Sequence, residues 1–252
     1  MKTALVLLFL FIPVYCLSFE INPHQGSKEH CLNLVYCPIN YQSEKIFSED
    51  LAAIISRLKK TAPFEDISGR IGLFRLDLSE KEQERFFQEN QGLPPFKIRQ
   101  DLLDRVENSL KSTYKLVIID AQNGVSCAEL SELSKVSLII LGRSRYVSAN
   151  SLAKGFLHEL GHSLGLRDEG VNSEAALCLP GPPNCAVIEE EARTWWGDLA
   201  GSIPRVHYIR GCCGNPNYIR PVIASLMNNP DKAEDFGPVN ERYLRKVLNG
   251  VR

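Results

Sequence analysis

A chain of 252 residues, 44% hydrophobic, carries enough apolar surface for one substantial core, as a single domain or a domain with two lobes. Its 29 lysines and arginines stand against 30 acids with no long block of one sign. That balance argues against nucleic acid or an anionic membrane surface as a partner.

The chain opens MKTALVLLFLFIPVYCLSFE, with Lys2 ahead of an apolar run that Pro13 interrupts and that fades after Phe19. This reads as a secretory signal peptide over residues 1–18, cleaved between Cys16 and Ser18, with an uncleaved amino-terminal anchor as the alternative. The run falls short of the roughly 20 residues a spanning helix needs, so no stable membrane insertion is expected once the signal is removed. Eight cysteines agree with a secreted or extracytoplasmic destination. Cys31 and Cys37 lie at opposite ends of a strand-like run, roughly 20 Å apart, too far to join each other. Cys178 and Cys185 flank a rigid Leu-Pro-Gly-Pro-Pro-Asn turn, and Cys212 and Cys213 sit in a glycine-bounded one. These four are the disulfide candidates, with their pairing left open.

After a polar segment with His24 and His30, CLNLVYC reads as a buried strand. From Phe47 to Lys60 the apolar Phe47, Leu51, Ile54, Ile55 and Leu58 recur at helical spacing. Ser48, Glu49 and Asp50 mark the start of that helix and Lys59 and Lys60 its end. IGLFRLDL reads as a strand, residues 79–90 as a charged helical stretch, Gly-Leu-Pro-Pro as a turn, residues 98–110 as a helix, and YKLVIID and VSLIILG as two more strands. Alternating strands and helices predict an α/β upper lobe over about residues 31–165. Residues 166–235 are rich in Gly, Pro, Asn and Cys with little periodicity, which predicts an irregular lower lobe held by loops and disulfides. VNERYLRKVL closes that lobe, about residues 166–252, as a terminal helix. Together the two lobes make a single domain over residues 19–252.

The chemistry is concentrated in HELGHSLGLRDE, His158 to Glu169. On a helix from about Asn150 to Leu164, steps of about 100° per residue put Ala153, Leu157, Leu160 and Leu164 in one stripe, with Phe156 at its edge. His158 and His162 project from the opposite side as i, i+4 neighbours, the geometry that lets two imidazoles share one metal ion. Glu159 lies one step around, within reach of a metal-bound water without being a ligand. Gly165 can take the left-handed conformation that ends a helix and turns the chain, which brings Asp168 back as a third ligand and leaves a fourth position for water. Glu169, His207 and the Glu189 to Glu191 run compete for the third place.

This run resembles the extended zinc motif of the metzincin metallopeptidases, with aspartate in place of the usual third histidine. SLMNNP supplies a methionine turn in Met227, the second hallmark of that clan. NLVYCPINYQSEKIFSEDLAAIISRLKKTAPFEDISGRIGLFRLDL is similar to the lead-in of the M64 (IgA peptidase-like) family, and YIRPVIASLMNNP and FGPVNERYL to its later segments. The resemblance spans most of residues 32–245. Two departures stand out. The M64 aspartate lies one residue further along, and Asn229 stands two residues after Met227, where many metzincins place a tyrosine that stabilises the transition state. Tyr218 is a substitute for that role, set against packing in a turn. Trp195 and Trp196 read as buried aromatics in preference to cleft walls.

The resemblance implies a metzincin-like α/β (α+β) fold with an upper mixed-sheet lobe, an active-site helix and an irregular disulfide-containing lower lobe. It implies a secreted zinc metalloendopeptidase acting on proteins or peptides, with one catalytic Zn2+ held by His158, His162 and Asp168. Glu159 acts as general base and Met227 as a packing base beneath the metal. The alternative is a catalytically silent, zinc-stabilised extracellular binding protein. Neither a Gly-x-Ser-x-Gly elbow nor a Gly-rich phosphate loop offers a competing chemistry.

Overall fold

Strands that read as continuous apolar runs need cover on both faces. The computed structural model supplies it over the residues it describes, 31–84, 106, 114–128, 136–171 and 178–250. Strands β1 (Leu32–Ile39), β2 (Ile71–Arg75), β3 (Tyr114–Asp120), β4 (Cys127–Ala128) and β5 (Val136–Gly142) form one sheet in the order β2-β1-β3-β5-β4. All neighbours run parallel except β4, which lies antiparallel on the β5 edge through Cys127↔Ile140 and Ala128↔Ile139.

Side chains alternate between the faces with the period of the pleat. Leu34, Tyr36, Val117, Ile119, Ile139 and Leu141 pack on helices α1 (Glu44–Leu58) and α2 (Ala149–Ser163). Val35, Cys37, Leu116, Ile118, Leu138 and Ile140 face the other way and meet Val106. The fold is thus mixed α/β with a largely parallel sheet, as the alternation of elements predicts. Helix α1 begins a turn earlier than its apolar spacing suggests. Ser43 caps it by accepting from the Ile46 amide at 3.4 Å, so Ser48, Glu49 and Asp50 fall inside the helix. Asp50 is buried there, held by Arg143 Nε at 2.6 Å and the Tyr41 hydroxyl at 3.0 Å.

Beyond the sheet the chain is more regular than its composition suggests. It contains α3 (Glu189–Ala200), a hairpin of β6 (Ile209–Cys212) and β7 (Asn215–Arg220), and α4 (Pro238–Leu248). Helix α3 escapes the periodicity argument because three acids open it and because it kinks at Trp196, whose φ of −141° is not helical. Trp196 is fully buried against Ala192, Val206, Ile219 and Val239, and its indole N–H donates to the His207 carbonyl at 3.0 Å. Trp195 packs half-buried beside it, so both tryptophans serve a local core.

Cys178 is bonded to Cys213 and Cys185 to Cys212, while Cys31 and Cys37 join no disulfide. Two disulfides fit an oxidising compartment. The signal segment, the turn at 92–95 and all but Val106 of the helix expected at 98–110 lie outside the described residues, as does most of the charged stretch beyond its helical start at 80–84. Among the described residues no helix is long and apolar enough to cross a membrane.

Candidate metal centre and active site

Helix α2 starts at a reciprocal cap. Ser148 Oγ accepts from the Ser151 amide at 3.1 Å, and Ser151 Oγ accepts from the Ser148 amide at 3.1 Å. Its apolar face, Leu152, Ala153, Phe156, Leu157 and Leu160, is buried against the sheet and α1. The helix stops where the sequence predicts. Gly165 takes φ 103°, its amide donates to the His162 carbonyl at 2.9 Å, and the Leu166 amide donates back to the Gly161 carbonyl at 2.9 Å.

That stop brings His158, His162 and Asp168 together, with one ligand atom from each lying within 4.8 Å of the others. His158 Nδ1 donates to the Leu226 carbonyl at 2.8 Å and His162 Nδ1 to the Leu166 carbonyl at 2.9 Å. A carbonyl oxygen only accepts, so these contacts put a proton on each Nδ1, the tautomer whose Nε2 can bind a metal ion. Burial, reinforced by the neighbouring His158, pushes His162 down to about 3 and keeps it neutral. The two Nε2 atoms face each other at 3.1 Å. A cation shared between the two ring nitrogens would suit this close approach. Two imidazoles and a carboxylate also form a donor set suited to zinc with an open fourth position. The residues present therefore fit the group that the motif implies.

Asp168 is half-buried, and its Oδ1 accepts from the Gly170 amide at 3.0 Å. Burial raises its pKa, opposed by His158 and by that amide. Glu159 is 5% exposed, and burial pushes its carboxyl up to about 7 against the pull of His158 and Arg145. Burial thus lets the Glu159 carboxyl take up a proton more readily than an exposed glutamate does.

Of the competing third ligands, Glu169, Glu189 and Glu191 are otherwise engaged. Glu169 is fully buried and turned onto three side-chain donors, Asn184, Asn240 and Ser225. Glu189 pairs with Arg193, and Glu191 accepts from the Val187 amide at 2.9 Å, both within helix α3 and its start. His207 is exposed and lines a cavity with Arg205, Lys232 and Asp235, apart from the three-residue group.

Met227 is fully buried in the turn after Ser225, where the Asn228 and Asn229 amides both donate to the Ser225 carbonyl at 3.0 Å. It lies under the histidine helix, since a Cβ added at Gly161 would meet its sulfur at 2.5 Å. The turn touches the site through its backbone, for the Leu226 carbonyl orients His158 and the Met227 carbonyl accepts the Glu169 amide at 2.8 Å. Asn229 uses its side chain to accept the Lys232 amide, and Tyr218 packs half-buried against the disulfide cluster. Neither contact reaches the candidate ligands His158, His162 and Asp168. Sequence reading missed Ser225, Asn184 and Asn240, whose partners lie 15 to 71 residues from them. It also missed Tyr146, which Gly155 admits against α2 and whose hydroxyl donates to Ser126 Oγ at 2.9 Å.

No family model and no curated protein matches the chain. Among solved structures, archaemetzincin from Methanopyrus kandleri is similar over 89% of this chain and 99% of its own, at 13% identity and a TM-score of 0.43. A likeness at that level identifies neither a family nor an activity.

Proposed function

We propose that the protein is a secreted zinc metallopeptidase of the metzincin type, and that it hydrolyses peptide bonds with Glu159 as general base. The observation that carries this reading is the convergence of the His158 and His162 Nε2 atoms and the Asp168 carboxylate beside a buried glutamate. His158, His162 and Asp168 would hold the ion. Bound there, zinc would supply Lewis-acid polarisation of a carbonyl and acidification of water. Glu159 takes the proton of the attacking water and delivers it to the departing amine. The Leu226 and Leu166 carbonyls fix both imidazoles in the tautomer that this requires.

Within the class, the resemblance of residues 33–78, 218–230 and 236–244 to M64 segments supports assignment to that family. Export rests on the amino-terminal segment and agrees with the two disulfides. Elemental analysis of the purified protein tests the metal site. About one zinc per chain is expected, lost or much weakened in Asp168→Ala; an equal, full load in both would move the third ligand elsewhere. Peptidase assays of Glu159→Gln then separate an enzyme from a silent zinc-binding protein. Zinc should stay while turnover falls on the order of 100- to 10,000-fold, and undiminished turnover would remove Glu159 from the mechanism.

A further inference from the structure

Glu169 follows Asp168 directly, yet its carboxylate is fully enclosed and committed to the protein. Its Oε1 accepts from Asn184 Nδ2 at 3.0 Å and from Asn240 Nδ2 at 2.9 Å, and its Oε2 from the Ser225 hydroxyl at 2.5 Å. Its backbone is tied as well. The amide donates to the Met227 carbonyl at 2.8 Å, and the carbonyl accepts from Arg220 Nη1 at 3.0 Å. One residue thus joins the ligand loop, the methionine turn, the disulfide-bearing loop, the end of β7 and helix α4.

Two of these ties lead straight to metal ligands. The Asn184 side chain also grips both backbone groups of Arg167, accepting from its amide and donating to its carbonyl, each at 2.9 Å. Asp168 therefore sits between two residues that are pinned to the same asparagine. On the other side, Ser225 and Met227 bracket Leu226, whose carbonyl orients His158. An enclosed carboxylate is a costly way to fill space, and an apolar side chain of similar size would do that better. What an apolar side chain cannot do is hold two backbone segments in register through directional bonds. Asn240 bears the mark of this arrangement. Its amide N–H2 serves Glu169 and the Phe236 carbonyl, while its Oδ1 is buried without a partner.

We propose that Glu169 is a positioning residue for the metal centre, a buried carboxylate that sets the Asp168 loop and the His158-orienting turn in register with each other. The role rests on the zinc site proposed above. It is tested by zinc affinity, measured by chelator competition, and by the visible spectrum of the cobalt(II)-substituted protein, which reports ligand geometry independently of activity. The proteins compared are the native chain, Glu169→Gln, Glu169→Ala and Ile118→Ala.

Glutamine fills the same volume, and its oxygen still serves Asn184 and Asn240, while its N–H2 meets the Ser225 hydroxyl as a donor. Glu169→Gln should therefore fold, bind zinc roughly 10-fold more weakly and show a shifted cobalt band; Glu169→Ala should weaken zinc up to roughly 100-fold. Ile118→Ala, a cavity on the opposite face of the sheet, should lower the melting temperature and leave both metal readouts native. If Glu169→Gln binds zinc with native affinity and a native cobalt spectrum, Glu169 is an ordinary core group and the proposal is overturned, whether or not Glu169→Ala folds. A native chain that takes up no metal would overturn the site itself and this role with it. That outcome is distinct from a native site that ignores both substitutions.

Discussion

Above helix α2 the sheet is tied down by apolar side chains that alternate between its faces. Below it, the chain from Leu166 onward has its own apolar cluster around Trp196 and is tied in addition by two disulfides, a buried carboxylate and an arginine that bonds three carbonyls. The difference matters because apolar burial is non-directional, whereas hydrogen bonds and disulfides fix particular atoms. The upper region stores stability and presents one rigid helix. The lower region positions, and it supplies Asp168 together with the carbonyls that orient both histidines. The candidate centre lies on the seam, with its histidines above and its remaining geometry set from below.

Damage to either region should therefore separate stability from metal binding. Ile139→Ala empties a fully buried position on the face toward α1 and α2 and should cost about 2–5 kcal/mol. Zinc affinity, measured well below the melting temperature, should stay native, and a matching fall in affinity would break the comparison. Replacing Cys185 and Cys212 together by serine opens a link across 27 residues of sequence and should cost about 2–4 kcal/mol. Here zinc should weaken as well. The Cys213 amide donates to the Asp168 carbonyl at 2.9 Å, so loosening the hairpin frees the Asp168 loop. Chelator titration of both variants at one temperature sets the two regions side by side.

The same division explains what the sequence revealed. The four parallel strands announce themselves as apolar runs, and α2 by helical spacing with glycine at its end, because those patterns are local and repeat; the two-residue β4 is too short to leave such a pattern. The candidate metal-binding run is legible for the same reason, since His158, Glu159 and His162 share one helix and Asp168 lies three residues past its stop. Helix α1 was readable in kind but not in start, because Ser43 and Ser48 both offer a plausible cap and only the fold chooses. The lower region left little local record. Glu169 meets Ser225 across 56 residues and Asn240 across 71, and Cys178 meets Cys213 across 35. No spacing rule links such pairs. Glu169 was visible as an acid next to the ligands, but nothing in the run HELGHSLGLRDE says that it faces inward.

Gly161 is where the two regions touch most closely, and its replacement should give the smallest stability change with a disproportionate effect on metal. Alanine at a helix interior gains about 1 kcal/mol over glycine from lower backbone entropy. Here the new methyl would meet Met227 Sδ at 2.5 Å, Phe236 Cε1 at 3.0 Å and Leu166 Cδ1 at 3.3 Å. Met227 and Phe236 are fully buried, so neither side chain has free space to retreat into. Overpacking of this kind costs about 1–3 kcal/mol, and after the propensity gain the net loss should be about 1 kcal/mol. The strain is relieved by moving the methionine turn, because the helix is fixed by the sheet above it. That movement carries the Leu226 carbonyl away from His158 and the Met227 carbonyl away from the Glu169 amide. Gly161→Ala should therefore melt close to the native temperature yet bind zinc measurably more weakly. Native zinc affinity at reduced stability would show instead that the helix yields and the turn holds, which would reverse the roles given to the two regions.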